Sequence, residues 1–117
     1  MGGFLTTHVL DTARGRPAAG MALELFRIEG GERRSVKKVE ANADGRMDEP
    51  LLTEDEFEAG LYEIVFDVGG YFAGEPGVAD PPFLERVPIR FGIADPSAHY
   101  HVPLLASPWS YGTYRGS

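Results

Sequence analysis

The sequence predicts an all-β fold, a sandwich of short strands packed face to face, and three observations predict it. Apolar and polar residues alternate with period two in run after run, the mark of half-buried strands. Turn chemistry recurs roughly every ten residues, a spacing that suits a sandwich built of hairpins. The fifteen glycines and nine prolines fall between the apolar runs rather than in one tract, so they punctuate strands and do not describe a disordered chain.

Taken in order, Phe4 to Asp11 reads as the first strand, with Leu5, Thr7 and Val9 on one face and Phe4, Thr6, His8 and Leu10 on the other. Arg14-Gly15-Arg16-Pro17 is turn chemistry. Met21 to Ile28 is the next strand, and Gly30-Gly31-Glu32 turns it into a hairpin with Arg34 to Asn42. Asn42-Ala43-Asp44-Gly45 is a second tight turn, because Asp-Gly suits a positive φ, and Arg46 follows it directly. Thr53-Glu54-Asp55-Glu56 has the spacing of a capping box, which predicts a single helical turn ended by Gly60.

Leu61 to Val68 carries the strongest strand pattern, Tyr62, Ile64, Phe66 and Val68 alternating with Leu61, Glu63, Val65 and Asp67. A long irregular connection follows, in which Tyr71-Phe72-Ala73 has room for only a brief helix before Pro76. Leu84 to Ile93 contains Pro88, which suits an edge strand or a bulge. His99 to Ala106 and Trp109 to Arg115 close the chain as two strands around Ser107-Pro108.

A chain of 117 residues encloses one core, so residues 1–117 are expected to form a single domain. The net charge of −7 argues against a nucleic-acid or anionic-membrane partner, since either needs a basic patch that displaces counterions. With no cysteine there is no disulfide, thiol chemistry or cysteine-based zinc site. No apolar run approaches the ~20 residues that span a bilayer. Neither a leader-like N-terminus nor a Ser-Lys-Leu ending is present, and the expected compartment is the cytoplasm.

The residues able to carry chemistry crowd the end of the chain. His99 and His101 lie two apart, on one face of their strand, and Tyr114-Arg115-Gly116-Ser117 follows within a hairpin's length. With His8 as a third ligand, two such histidines have the makings of a metal site, but no carboxylate stands at a comparable spacing in the same strand. The competing chemistry is proton transfer, for which histidine titrates in the right range. Arg46 and Arg115 have paired N–H donors that fit a planar oxyanion. Position alone makes Arg46 a solvated residue beside a turn and Arg115 a frayed end. Neither Gly-x-Ser-x-Gly nor a phosphate-cradling glycine loop occurs. The residues by themselves therefore lead to a sandwich with a His/Arg-rich terminal face, compatible with hydrolysis and no narrower than that.

Four separated motifs narrow it. Thr7-His8-Val9-Leu10-Asp11 with Gly15-x-Pro17-Ala18, then Asp44-Gly45-Arg46, then His99-Tyr100-His101-Val102-Pro103-Leu104-Leu105-x-Ser107-Pro108, and finally Tyr114-Arg115-Gly116-Ser117 resemble the 5-hydroxyisourate hydrolases. These are the transthyretin-related enzymes of purine catabolism, and the resemblance runs in register from about Leu5 to Ser117. It implies a transthyretin-like sandwich of two four-stranded sheets with one short helix. It also implies a homotetramer, a dimer of dimers whose active sites lie in the channel between dimers.

The implied reaction opens the six-membered ring of 5-hydroxyisourate at its N1–C6 amide bond, with no metal or organic cofactor. His8, Arg46 and His101 are the implied catalytic set. His8, Arg46, Tyr114, Arg115 and Ser117 are the implied substrate contacts, and His99 and Gly116 support them. The donor to the departing nitrogen stays open between a histidine and Tyr114. Ala106 and Trp109 depart from the family pattern, and both read as packing changes. The alternative is a transthyretin-like carrier of a small aromatic hormone, which needs neither His8, nor His101, nor the Tyr-Arg-Gly-Ser ending.

Overall fold

In the computed structural model, which describes residues 2–116, two β-sheets lie face to face around a shared core. The strands are β1 (Phe4–Thr6), β2 (Val9–Asp11), β3 (Arg16–Pro17), β4 (Ala22–Glu29), β5 (Glu32–Glu40), β6 (Gly60–Phe66), β7 (Val87–Ile93), β8 (His99–His101), β9 (Leu104–Ala106) and β10 (Tyr111–Thr113). One helix, α1 (Val68–Phe72), lies between β6 and β7. The second sheet has the order β5-β4-β6-β7, all antiparallel. It holds the long regular strands, and their alternation survives as burial: Leu23 and Leu25 on β4, and Tyr62, Ile64 and Phe66 on β6, face the core. Pro88 sits on β7, an edge strand, where its missing N–H breaks no ladder.

The first sheet carries the functional face. Its order is β10-β9-β2-β3, and the parallel pair β1-β8 continues β2-β9 past an interruption. Each of the two long strands expected from the sequence, Phe4 to Asp11 and His99 to Ala106, is therefore split in two. Pro103 explains the split, since it has no N–H to donate to the ladder. The Val102 and Leu104 amides still reach Thr6 O and His8 O, both at 2.9 Å, and the buried Thr7 hydroxyl donates to Val102 O at 2.7 Å. Leu5, Thr7 and Val9 point into the core, while Phe4, Thr6, His8 and Leu10 are half-buried on the outer face.

The short helix is not where the capping-box spacing put it. Thr53 N and Thr53 Oγ1 both donate to Glu56 Oε1 at 3.0 Å, so the box closes, but the chain makes only a turn before Phe57 enters the core. The helix forms at Val68–Phe72 instead, capped by Asp67, whose Oδ1 accepts from Gly70 N at 3.0 Å. Two glycines inside it cost about 1 kcal/mol each against alanine, and burial of Val68 and Phe72 offsets them. Gly69 is closely packed, since a Cβ there would stand 3.0 Å from Glu85 Cα and the neighbouring chain would have to give. Tyr71 on the same helix donates to the buried Asp11 Oδ2 at 2.8 Å, tying the helix to the end of β2. Among the described residues no helix is long and apolar enough to cross a membrane.

Candidate active site

Three separate segments converge on the outer face of the first sheet. Thr6 and His8 come from β1 and the break that follows it. His99 and His101 come from β8, which pairs in parallel with β1 so that Thr6 stands opposite His101. Arg46 comes from the turn after β5 and is joined to His8 by an isolated antiparallel bridge.

That turn is built by Asn42. Its Oδ1 accepts from Asp44 N at 2.9 Å and from Arg46 N at 3.1 Å, and its backbone carbonyl accepts from Gly45 N at 2.9 Å. Gly45 has φ of 75°, and a Cβ there would collide with the Val9 carbonyl, so only glycine lets the turn press against the first sheet. Its carbonyl accepts from Val9 N at 2.8 Å. Arg46 is thus held beside His8 by backbone, with its own side chain free to face a ligand.

The hydrogen bonds assign one tautomer. His8 Nε2 lies 2.9 Å from Asp44 O, and a carbonyl can only accept, so Nε2 carries a proton and the lone pair of the neutral ring is on Nδ1. Thr6 Oγ1 lies 2.8 Å from His99 Nε2 and 2.8 Å from His101 Nδ1. Phe4 stacks on His99, with ring centroids 4.1 Å apart and planes 16° from parallel, which sets the plane of that imidazole. Burial pushes the His101 imidazole below its ordinary pKa, and the Arg46 guanidinium, His99 and His8 push it the same way. At neutral pH His101 is a neutral base near the Arg46 cation, an arrangement that attracts an anion and can accept its attacking water's proton.

The end of the chain returns to this point. Gly116 N donates to His101 O at 2.7 Å, and the two residues form an isolated bridge. Gly116 is packed so close that a Cβ would sit 2.6 Å from His101 Cδ2. Ser117 lies outside the described residues. Tyr114 is exposed. Arg115 goes elsewhere: its guanidinium carbon lies 4.0 Å over the ring of Tyr100, whose side chain points to the opposite face of β8 from the two histidines. There it lines a separate cavity of about 210 Å³ with Tyr100, Val102 and Phe91.

So the structure gathers His8, Arg46, His99, His101 and Gly116, and leaves Arg115 off its own chain's cluster. A larger groove of about 850 Å³ lies on the outer face of the β5-β4-β6-β7 sheet, lined by charged residues such as Glu24, Arg33 and Glu63, and contains none of the histidines. Thr6, Asn42 and the Asp44 carbonyl belong to the site and were not singled out by sequence reasoning. Thr6 had a visible signal, since it shares a strand face with His8.

Comparison with known proteins identifies the chain's relatives. The profile of the HIUase/Transthyretin family matches residues 5–116. A protein of Rhizobium meliloti (strain 1021) named 5-hydroxyisourate hydrolase 2 is 56% identical over 98% of this chain and 97% of its own length. The crystal structure of an (S)-allantoin synthase superposes with a TM-score of 0.92 at 48% identity, covering 99% of this chain and 44% of that one. Sea bream transthyretin in complex with thyroxine superposes with a TM-score of 0.84 at 31% identity, over 96% of this chain and 93% of that one.

Proposed function

The chain belongs to the HIUase/Transthyretin family, and from that premise we propose that it hydrolyses 5-hydroxyisourate to 2-oxo-4-hydroxy-4-carboxy-5-ureidoimidazoline, a step of urate degradation. The observation that carries the reading is the cluster itself: Arg46 bridged to His8, next to a His101 held in its neutral form. A carrier of a hydrophobic hormone has no use for a base beside a cation. The likeness to the thyroxine-bound transthyretin favours the carrier as a second reading, because the two proteins share the sandwich. A catalytic cluster on the shared scaffold is what separates them.

The mechanism follows from the groups present. Arg46 binds the urate-like ring and stabilises the negative charge that grows on the carbonyl oxygen of C6. His101 Nε2 takes a proton from the attacking water, whose oxygen bonds to C6. His8, with Nδ1 unprotonated, helps orient that water. Collapse of the tetrahedral intermediate breaks C6–N1, N1 takes up a proton, and C6 leaves as a carboxylate. No step needs a metal or organic cofactor. The chain's −7 charge does not repel the substrate strongly, since surface charges are screened over ~8–10 Å while Arg46 and the histidines act at contact.

The site is completed by assembly as a homotetramer, a dimer of dimers. Edge strands β7 and β10 are both open to pairing with another copy, which would cover two exposed ladders. Tyr114 is exposed and Arg115 is turned from its own His101, so both serve the channel from where copies meet.

The test is to generate 5-hydroxyisourate in situ from urate with urate oxidase and follow its ultraviolet decay. This protein should accelerate the decay catalytically. Unchanged decay sinks the hydrolase reading.

A further inference from the structure

We propose that Thr6 is a positioning residue that locks His99 and His101 into matching tautomers and passes a proton between the two rings, so that His101 both activates the water and protonates the departing nitrogen. The inference rests on the hydrolytic reading above and deepens it.

A threonine hydroxyl has one proton and two lone pairs. Its oxygen lies 2.8 Å from His99 Nε2 and 2.8 Å from His101 Nδ1, and among the described residues its side chain has no other partner. It can donate to one ring only, and if it does the other ring donates to it; accepting from both rings would leave the hydroxyl proton without a partner among the described residues. In one arrangement Thr6 donates to His99 Nε2 and accepts from His101 Nδ1–H, which leaves both rings in the Nδ1–H form. In the other it donates to His101 Nδ1 and accepts from His99 Nε2–H, which leaves both in the Nε2–H form. Only the first presents an unprotonated His101 Nε2 to water.

The hydroxyl is well fixed for this task. Threonine is stiff at χ1, and the Thr6 backbone is held by its pairing with His101 and by Val102 N at 2.9 Å. His99 is held in turn by its stack on Phe4.

The proton count closes. Water gives a proton to His101 Nε2, His101 gives its Nδ1 proton to Thr6 Oγ1, and Thr6 gives its own hydroxyl proton to His99 Nε2. His101 ends neutral in the Nε2–H form, and the positive charge rests on His99. The groups facing His101, namely Arg46, His8 and His99, all disfavour a charge on it, and the transfer removes that charge from beside Arg46. When C6–N1 breaks, His101 gives its Nε2 proton to N1 as its Nδ1 takes a proton from Thr6, so no imidazolate forms. His99 returns its proton through Thr6 to His101 Nδ1, and every group is back where it began. His99 is thereby the proton store and His101 the group that meets the substrate.

The experiment compares the parent with Thr6→Val, which keeps the shape and deletes the hydroxyl, and Thr6→Ser, which keeps the hydroxyl. Long-range proton–nitrogen NMR of the ligand-free proteins reads the tautomers, and circular dichroism confirms that each variant is folded. The parent and Thr6→Ser should show His99 and His101 in the same tautomer, and Thr6→Val should uncouple them. In the 5-hydroxyisourate assay, Thr6→Val should lose about a hundredfold in kcat with KM little changed, and Thr6→Ser should restore most of it. Mixed tautomers in the parent overturn the lock. A Thr6→Val enzyme with parental kcat and pH profile overturns the relay. Because the NMR readout needs no turnover, matched tautomers in a parent that fails to hydrolyse would bring down the hydrolytic reading and the relay while upholding the lock.

Discussion

Gly116→Ala offers a sharp test of how the chain's end serves the site. The alanine Cβ would stand 2.6 Å from His101 Cδ2 and 3.1 Å from both its Cβ and Cγ. Ordinary carbon contacts begin near 3.5 Å, so the ring or the tail must shift by roughly 0.8–1 Å. A displacement of about 1 Å at a reacting group costs on the order of a hundredfold in rate. Little stability is at stake, because Gly116 is only half-buried and, among the described residues, its amide makes one backbone hydrogen bond, to His101 O. The assay is paired: kcat from the decay of 5-hydroxyisourate, and the thermal midpoint from circular dichroism. The expected result is a loss of kcat of about a hundredfold with a midpoint within a few degrees of the parent. Parental kcat together with unmoved His101 ring resonances would refute the reasoning, since the tail would then not be packed on the catalytic ring. A coincident collapse of stability would show that the terminus holds the fold rather than the site.

Three further outcomes are expected. Arg46→Ala should lose roughly a hundredfold or more in kcat/KM as a folded protein, because it removes the cation of the residue whose backbone is bridged to His8; near-parental activity would end that role. The acid limb of kcat/KM reports His101 in the free enzyme and should have its midpoint below about 6.5, since burial and Arg46 depress its pKa. Activity is then level near neutrality and falls only as His101 takes up its proton; a limb above that value, or none, contradicts the assignment. The linkage has the same sign. The unfolded chain protonates this histidine first, so its contribution to stability is present above the unfolded pKa and lost as pH falls through the folded one. Asp11→Ala removes the acceptor for Ala13 N, Arg14 N and the Tyr71 hydroxyl, and should cost about 2–4 kcal/mol in urea unfolding; a change under ~0.5 kcal/mol would mean that the link from α1 to β2 carries no weight.

The strands were legible because each alternation is local. Leu5, Thr7 and Val9 face the core as their period demands, and so do Tyr62, Ile64 and Phe66. The brief helix expected around Tyr71-Phe72-Ala73 forms as Val68–Phe72, whereas the helical turn expected at Thr53 does not, because the decisive energies are tertiary. The capping box at Thr53 forms its hydrogen bonds yet does not propagate, while a glycine-rich stretch becomes helical where Phe72 and Val68 find the core. The interruption at Pro103 was visible in the residue itself, but its match at Thr7–His8 depends on which strand lies alongside.

For the site, His99 and His101 on one face were readable from period two. The meeting of Arg46 with His8 was not, because a turn brings together residues far apart in the chain, and only the resemblance supplied that pair. Thr6 escaped notice because hydroxyls on strand faces are common, and its two histidine contacts appear only once β1 is set parallel to β8. Arg115 shows the reverse: its motif is plain, yet within one chain it packs on Tyr100 and not on the histidine cluster.

In the proposed mechanism His101, aided by Arg46 and His8, turns this transthyretin-like scaffold into a hydrolase. The most direct measurement is the time course of 5-hydroxyisourate decay with protein at a few per cent of the substrate concentration, run beside His101→Asn. The parent should make many turnovers per chain, and the variant should leave decay at nearly the spontaneous rate. Stoichiometric protection of the substrate, or equal acceleration by both proteins, would contradict that mechanism.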